Sequence, residues 1–330
     1  MAYQPDLTFH TYSQGGIGPV LAVGWLENGQ AFPQGQVSPA VFNQLAAWVA
    51  DPHTYGVNFM RGWHDPDLPH RDNPSRSWYR DAAYAQPAQY PMANGELWIE
   101  HAGIIYAAPM MVFEYVRAYG YQPPEAFQAA VVHGSCLRQA DLEARRFPAP
   151  PSGEVPADPE AQRAAQAQCQ EAAQQLHDQA YQRATDLIDA VLAQYPSYAH
   201  AWFIRLNVQI GMADYDAAAA TLQRLLPLAP NLPEVYGTRG MLHVHRREWE
   251  QAIRWLQLVL PTFQHRGGRN HHEILRYLVW AEQGRGDLAR SLSFLNELCA
   301  QVPPDRQTRR LRRRLRGQRF RQRLGGWLRG

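Results

Sequence analysis

Short apolar runs separated by turn signals fill the first 135 residues. Residues 20–26, VLAVGWL, are apolar over a strand's length. SPAVFNQLAAWVADP follows with a helix start: Ser38 can cap, and Pro39 suits the first helical position. Phe42, Leu45, Ala46 and Val49 make its apolar stripe, and Pro52 ends it. Residues 56–63 pattern a short strand. NGELWIEHAGIIYAAP reads as two strands around a turn at His101–Gly103. MMVFEYVRAYG is a helix closed by Gly120, and Pro123-Pro124 opens another, EAFQAAVVHG. The mixture predicts a small α+β domain over residues 1–146.

Beyond it, residues 147–160 are proline-rich and read as an extended linker. From residue 161 to 305 the period changes to helical, and the pattern repeats. Tyr181, Tyr215 and Trp249 recur at intervals of 34, as do Ala184, Ala218 and Ala252, and the pair Pro196 and Pro230. A fourth copy, GDLARSLSFLNELCAQVPP, is displaced by five residues, with the insertion in or near FQHRGGRNHH. The small residue sits where two helices cross closely, the aromatic fills the gap to the next repeat, and the proline stops the second helix. This pattern resembles tetratricopeptide repeats, at about 165–198, 199–232, 233–266 and 272–305. The fold class expected is an α+β domain followed by an all-α solenoid. The resemblance implies a concave groove carrying Phe203, Asn207, Met241, His245, Arg276 and Trp280, open to a protein partner or filled by the chain's own N-terminal domain or linker.

Gly24-Trp25-Leu26, Phe32-Pro33-Gln34-Gly35, Arg61-Gly62-Trp63-His64, Tyr106-Ala107-Ala108-Pro109, VFEYVRAYGYQPPEAF and Ala130-Val131 form an ordered set. Through it, residues 20–134 resemble an uncharacterised bacterial domain of unknown function. That domain's pattern places two cysteines after the histidine, where this chain has Pro66 and Pro69. Its helix histidines are replaced by Glu114 and Gly120. If the pattern's His and Cys residues bind a metal, most of that ligand set is absent here.

Composition narrows the chemistry. All 32 basic residues are arginine. This excludes a Schiff-base lysine and a P-loop lysine, and it reads as a high-GC bacterial genome. No run reaches a membrane span, the N-terminus does not read as a secretion signal, and three scattered cysteines form no framework, so a cytoplasmic setting is expected. Charge is divided sharply. Residues 306–330 hold 11 arginines and no acid, whereas the rest carries 21 arginines against 30 acids. Arg309, Arg310, Arg312, Arg313, Arg314 and Arg316 form the densest part of this basic arm, with Leu311 and Leu315 on one helical face. Such a tail suits an acidic protein, nucleic acid or an anionic membrane, or it caps the last repeat.

Candidate chemistry is sparse. His64, Asp65, Asp67 and His70 could hold a divalent metal with help from Glu100, His101 or Glu114; a solvated proline-stiffened loop is the competing reading. Arg61 could hold a carboxylate in the same domain. Cys136 follows His133 closely, but adjacent residues seldom form a nucleophile–base pair. HHEILRY misses the zinc-protease pattern because Arg276 stands at the second histidine position, and His243 and His245 point to different helix faces. GGIG at 15–18 lacks dinucleotide-binding spacing. No catalytic set and no cofactor follow. The expected role is a protein–protein adaptor or accessory subunit using groove and arm. The rivals are a metal-dependent enzyme or sensor around His64, and a nucleic-acid or membrane accessory acting through the arm.

Overall fold

The computed structural model describes residues 3–11, 16–59, 68, 94–304 and 306–327. The chain divides into two compact units, Met1–Pro148 and Ala149–Gly330.

In the first unit, β1 (Val20–Ala22) is followed by α1 (Pro39–Ala50) and α2 (Pro52–Tyr55). Then come β2 (Glu96–His101), β3 (Ile104–Pro109), α3 (Val112–Tyr119), α4 (Glu125–His133), β4 (Ser135–Leu137) and α5 (Gln139–Arg145). The sheet order is β1-β3-β2-β4. β1 runs parallel to β3, with Val20 opposite Ile105; β2 pairs antiparallel with both β3 and β4. Ala102 (φ 52) and Gly103 (φ 76) form the turn between β2 and β3. Two successive positive φ values match the right-handed twist of the flanking strands. Ile17, Val20, Trp98, Ile105, Ala107, Leu137 and Leu142 form a buried cluster together with Val57.

Local details depart from the sequence reading in three places. The run at 20–26 stops being strand at Ala22, because Gly24 takes φ 71 and its N–H donates to Asp6 Oδ1 at 2.8 Å. Trp25 is fully buried, and its Nε1 donates to the Ala107 carbonyl at 3.0 Å. On α1, Ser38 does accept from the Val41 N–H, but the buried face is Val41, Leu45, Trp48 and Val49. The helix is rotated so that the large indole of Trp48 is covered instead of Ala46, which gains more apolar burial. The strand expected at 56–63 shows one antiparallel bridge, Val57 to Glu96; from residue 60 it lies outside the described residues.

The second unit consists of helix pairs: α6 (Pro159–His177) with α7 (Tyr181–Gln194), and α8 (Ala199–Gly211) with α9 (Tyr215–Leu228). α10 (Pro233–His245) then packs on α11 (Trp249–Arg266), and α12 (Gly268–Arg285) on α13 (Leu288–Gln301). A last helix, α14 (Arg306–Trp327), packs on α13. Ala184, Ala218 and Ala252 are completely buried in their second helices, and Ser291 takes the same place in α13, donating to the Val279 carbonyl at 3.0 Å. A Cβ on Gly240 would lie 2.7 Å from Leu256 Cγ, so this crossing admits only glycine.

The opening aromatic of each of the first three second helices meets the end of the next repeat's first helix. A Cβ on Gly211 would lie 2.6 Å from Tyr181, and one on Gly284 2.6 Å from Trp249. Tyr215 instead stacks on His245, with centroids 5.1 Å apart. Gly211, His245 and Gly284 thus occupy one repeat position. Trp202 Nε1 donates to the Pro196 carbonyl (2.7 Å), and Tyr236 OH to the Pro230 carbonyl (2.6 Å), which ties each first helix to the preceding stop. α7 and α9 end just before those prolines. The third repeat has Gln264 at that position, so α11 runs on to Arg266 before Gly267 (φ 67) and Gly268 (φ 79) turn the chain. This accounts for the five-residue displacement.

Candidate functional site

The loop residues His64, Asp65, Asp67 and His70, with Arg61, lie outside the described residues. Their suggested helpers have other engagements. Glu100 pairs with Arg145. Glu114 is 1% exposed and accepts from Arg117 Nε and Nη2 at 2.7 Å each. The ring of His101 lies 6.4 Å from that of His133. Among the described residues, no three His, Cys, Asp or Glu side chains converge as metal ligands. Burial pushes the Cys136 thiol up to about 12 and that of Cys169 up to about 11, the opposite of an activated nucleophile.

A buried polar cluster in this unit was not legible in the sequence. Glu96 Oε2 accepts from Trp98 Nε1 (2.6 Å) and Asn58 Nδ2 (3.3 Å), and lies 3.4 Å from His10 Nε2. Gln4 Nε2 lies 3.3 Å from His10 Nδ1, and Trp25 covers the imidazole at 5.1 Å. Glu96 and His10 are 1% and 2% exposed, so the cluster ties the N-terminal segment to β2 and offers no opening for a substrate. Gln4 and His10 sit in no periodic run, so no local signal marks them. Asp6 accepts from Tyr121 OH at 2.8 Å, and burial raises its carboxyl above the usual range. A cleft of about 680 Å³ is lined by Asn28, Gln30, Phe32, Gln34, Gln36 and Tyr119, among others.

The six expected groove residues separate into two groups. Phe203, Asn207, Met241 and His245 are half-buried. Phe203 packs against the cores of the first two repeats, and Asn207 Nδ2 donates to its carbonyl at 2.8 Å. His245 lies between two tyrosines, with Nδ1 3.2 Å from Tyr215 OH and Nε2 3.3 Å from Tyr277 OH. Burial lowers its pKa, so at neutral pH it is an uncharged packing element. His243 faces Glu248 instead. His271 of α12 is buried against Glu297 of α13, 3.5 Å away.

Arg276 and Trp280 are exposed and share a cleft with residues of the arm. A cleft of about 550 Å³ lies between α12, α13 and α14. Arg276, Val279 and Trp280 come from α12, Leu295 and Leu298 from α13, and Thr308, Arg310, Leu311 and Arg314 from α14. Trp280 is 47% exposed, its ring held edge-on to Tyr277 at 5.1 Å. α14 is placed by its apolar face: Leu315 is fully buried with Val279, Leu288, Leu292 and Leu295, and Leu311 packs beside it. Four-residue spacing then sets Arg310 and Arg314 together on the cleft. Arg309, Arg313 and Arg316 are exposed outside it, and Arg312 is half-buried. Elsewhere in this unit arginines find acids: Arg246 with Asp216 (2.7 Å), Arg266 with Glu234 (2.8 Å), Arg285 with Glu282 (2.6 Å), and Arg205 with Asp189. Among the described residues, no acid lines the cleft or pairs with Arg276, Arg310 or Arg314. No described helix is long and apolar enough to cross a membrane.

The chain is similar to solved structures, among them tetratricopeptide-repeat proteins. One is residues 41 to the end of MamA from Desulfovibrio magneticus RS-1: 12% identity, 47% of this chain, 85% of that chain, TM-score 0.41. Another is a thermophilic TPR protein from Thermus thermophilus: 18% identity, 49% and 83% coverage, TM-score 0.39. A third is a tetratricopeptide repeat protein from Parabacteroides merdae ATCC 43184: 15% identity, 62% and 68% coverage, TM-score 0.38. No curated protein matches the chain. Residues 2–132 match the family model described as Domain of unknown function (DUF7919).

Proposed function

We propose that this protein acts by binding another protein, as an adaptor or accessory subunit, through the C-terminal end of its helical unit. The observation that carries this reading is the cleft of α12, α13 and α14. It combines a half-exposed tryptophan, an apolar floor and three arginines, with no acid lining it among the described residues. Tryptophan and arginine dominate the binding energy of protein interfaces when they sit together around an apolar centre. A stacked helical array holds such a surface rigid, which limits the ordering cost of association. The arm's leucines Leu311 and Leu315 face α13, so that part of its apolar face is already occupied and favours this reading over membrane insertion.

The test uses the full chain and its Trp280→Ala variant as baits for crosslinking capture, followed by binding measurements with each recovered partner in purified form. At least one partner is expected to bind the parent protein and to lose about tenfold or more in affinity with the variant, as for a central interface tryptophan. If every purified partner binds both proteins equally, this face is not the interaction site.

A further inference from the structure

We propose that the cleft between α12, α13 and α14 recognises an acidic peptide segment, with an apolar side chain in the cleft and flanking carboxylates on its arginines; this rests on the interaction role proposed above.

Three features define the occupant. The floor is apolar, made by Val279, Leu295, Leu298 and Leu311, and Trp280 stands open beside it. Among the described residues, the charges lining it are positive: Arg276 from one side, Arg310 and Arg314 from the other. Third, the volume of about 550 Å³ lies within the roughly 300–1,000 Å³ typical of clefts that enclose a small ligand or a few side chains. Guanidinium groups bind carboxylates through paired N–H donors, and they are less strongly hydrated than ammonium groups, so they pair well beside apolar surface. Three like charges around one cleft repel each other until an anion enters. A nucleic acid would use charge along an extended track, and a membrane would use an exposed apolar face. A short cleft with an apolar floor favours a peptide over either.

Binding is measured by fluorescence anisotropy of a labelled short peptide in which one tryptophan or leucine is flanked by glutamates, using the full chain. Comparison peptides replace the glutamates by glutamine, or the apolar residue by serine. The acidic apolar peptide is expected to bind, with affinity falling as salt rises. Both comparison peptides should weaken by about tenfold or more. Arg310→Gln with Arg314→Gln should cause a loss of the same size. Arg313→Gln with Arg316→Gln, which removes equal charge outside the cleft, should leave binding unchanged. All four arginines are exposed, so both variants should unfold at the parent temperature. Trp280→Ala probes the same cleft without altering charge and should also weaken the acidic peptide.

Equal losses in the two arginine variants would overturn the proposal. So would cleft-dependent binding of a single-stranded oligonucleotide, or of vesicles of phosphatidylcholine and phosphatidylserine, at least as tight as that of the peptide. Self-association abolished by Arg310→Gln and Arg314→Gln, without peptide binding, would make a second copy the occupant and overturn it as well. If no peptide binds while a Trp280-dependent protein partner is recovered, this inference fails and the interaction role stands.

Discussion

Leu315 joins the arginine-rich helix to the repeats, and Leu315→Ala tests that joint. Its side chain is fully buried among Val279, Leu288, Leu292 and Leu295. Among the described residues, Leu311 is the other α14 side chain at this cluster, and it is half-buried. Truncating a buried leucine costs about 2–5 kcal/mol, from lost transfer energy plus the cavity left behind. At the end of an array the neighbours can relax, so about 2–3 kcal/mol is the expected range, or about 30- to 150-fold in the docking equilibrium. That loss falls on α14 because repeat arrays are stabilised mainly by nearest-neighbour contacts. Native-state hydrogen exchange is the assay. Amides of α14 should lose protection by that factor, whereas amides of α6 to α11 should keep theirs. Unchanged protection in α14 would refute the docking, and an equal loss along the whole unit would refute its local character.

Gly240→Ala places a methyl against Leu256 Cγ and the Leu256 backbone. Overpacking of about 1–3 kcal/mol outweighs the helix-propensity gain of about 1 kcal/mol, and a lower urea midpoint should record it. Glu96→Ala strands the Trp98 and Asn58 donors in a buried site, and calorimetry should show a loss of about 2–4 kcal/mol. His245 has a folded pKa lowered by burial, so below the ordinary histidine range the unfolded chain binds the proton more readily. Its stabilising effect is therefore complete at neutral pH and is lost as pH falls through that range. His245→Phe keeps the ring against Tyr215 and should flatten this part of the stability–pH curve; an unchanged slope would reject the assignment.

The candidate site was legible only in fragments. Arg276 and Trp280 were visible as repeat positions, and Arg310 and Arg314 as part of a charge run. That they share one cleft depends on how α14 folds back after Val302 and Pro303, which no local pattern specifies. The Leu311 and Leu315 spacing was the available signal, since it implies one buried face, but it does not name the surface that buries it. His245 shows the reverse. Its repeat position suggested a groove residue, and the half-buried ring lies between Tyr215 and Tyr277, which reach it from neighbouring helices.

The sequence by itself determined the helices of the second unit. Their signals are short-range: a small residue in each second helix, an aromatic opening three of them, and prolines after the first, second and fourth, at intervals of 34 residues broken by one five-residue displacement. Helical geometry converts such spacings directly into faces and ends. Only the tertiary structure decided the rest. The parallel pairing of Val20 with Ile105 spans 85 positions of chain, and its partner cannot be chosen from either strand alone. The burial of His10 on Glu96, the rotation of α1 toward Trp48 and the cleft that Arg276 and Trp280 share with the arm are likewise long-range. Each is set by which distant surfaces gain most from leaving water together, and that comparison exists only once the chain has folded.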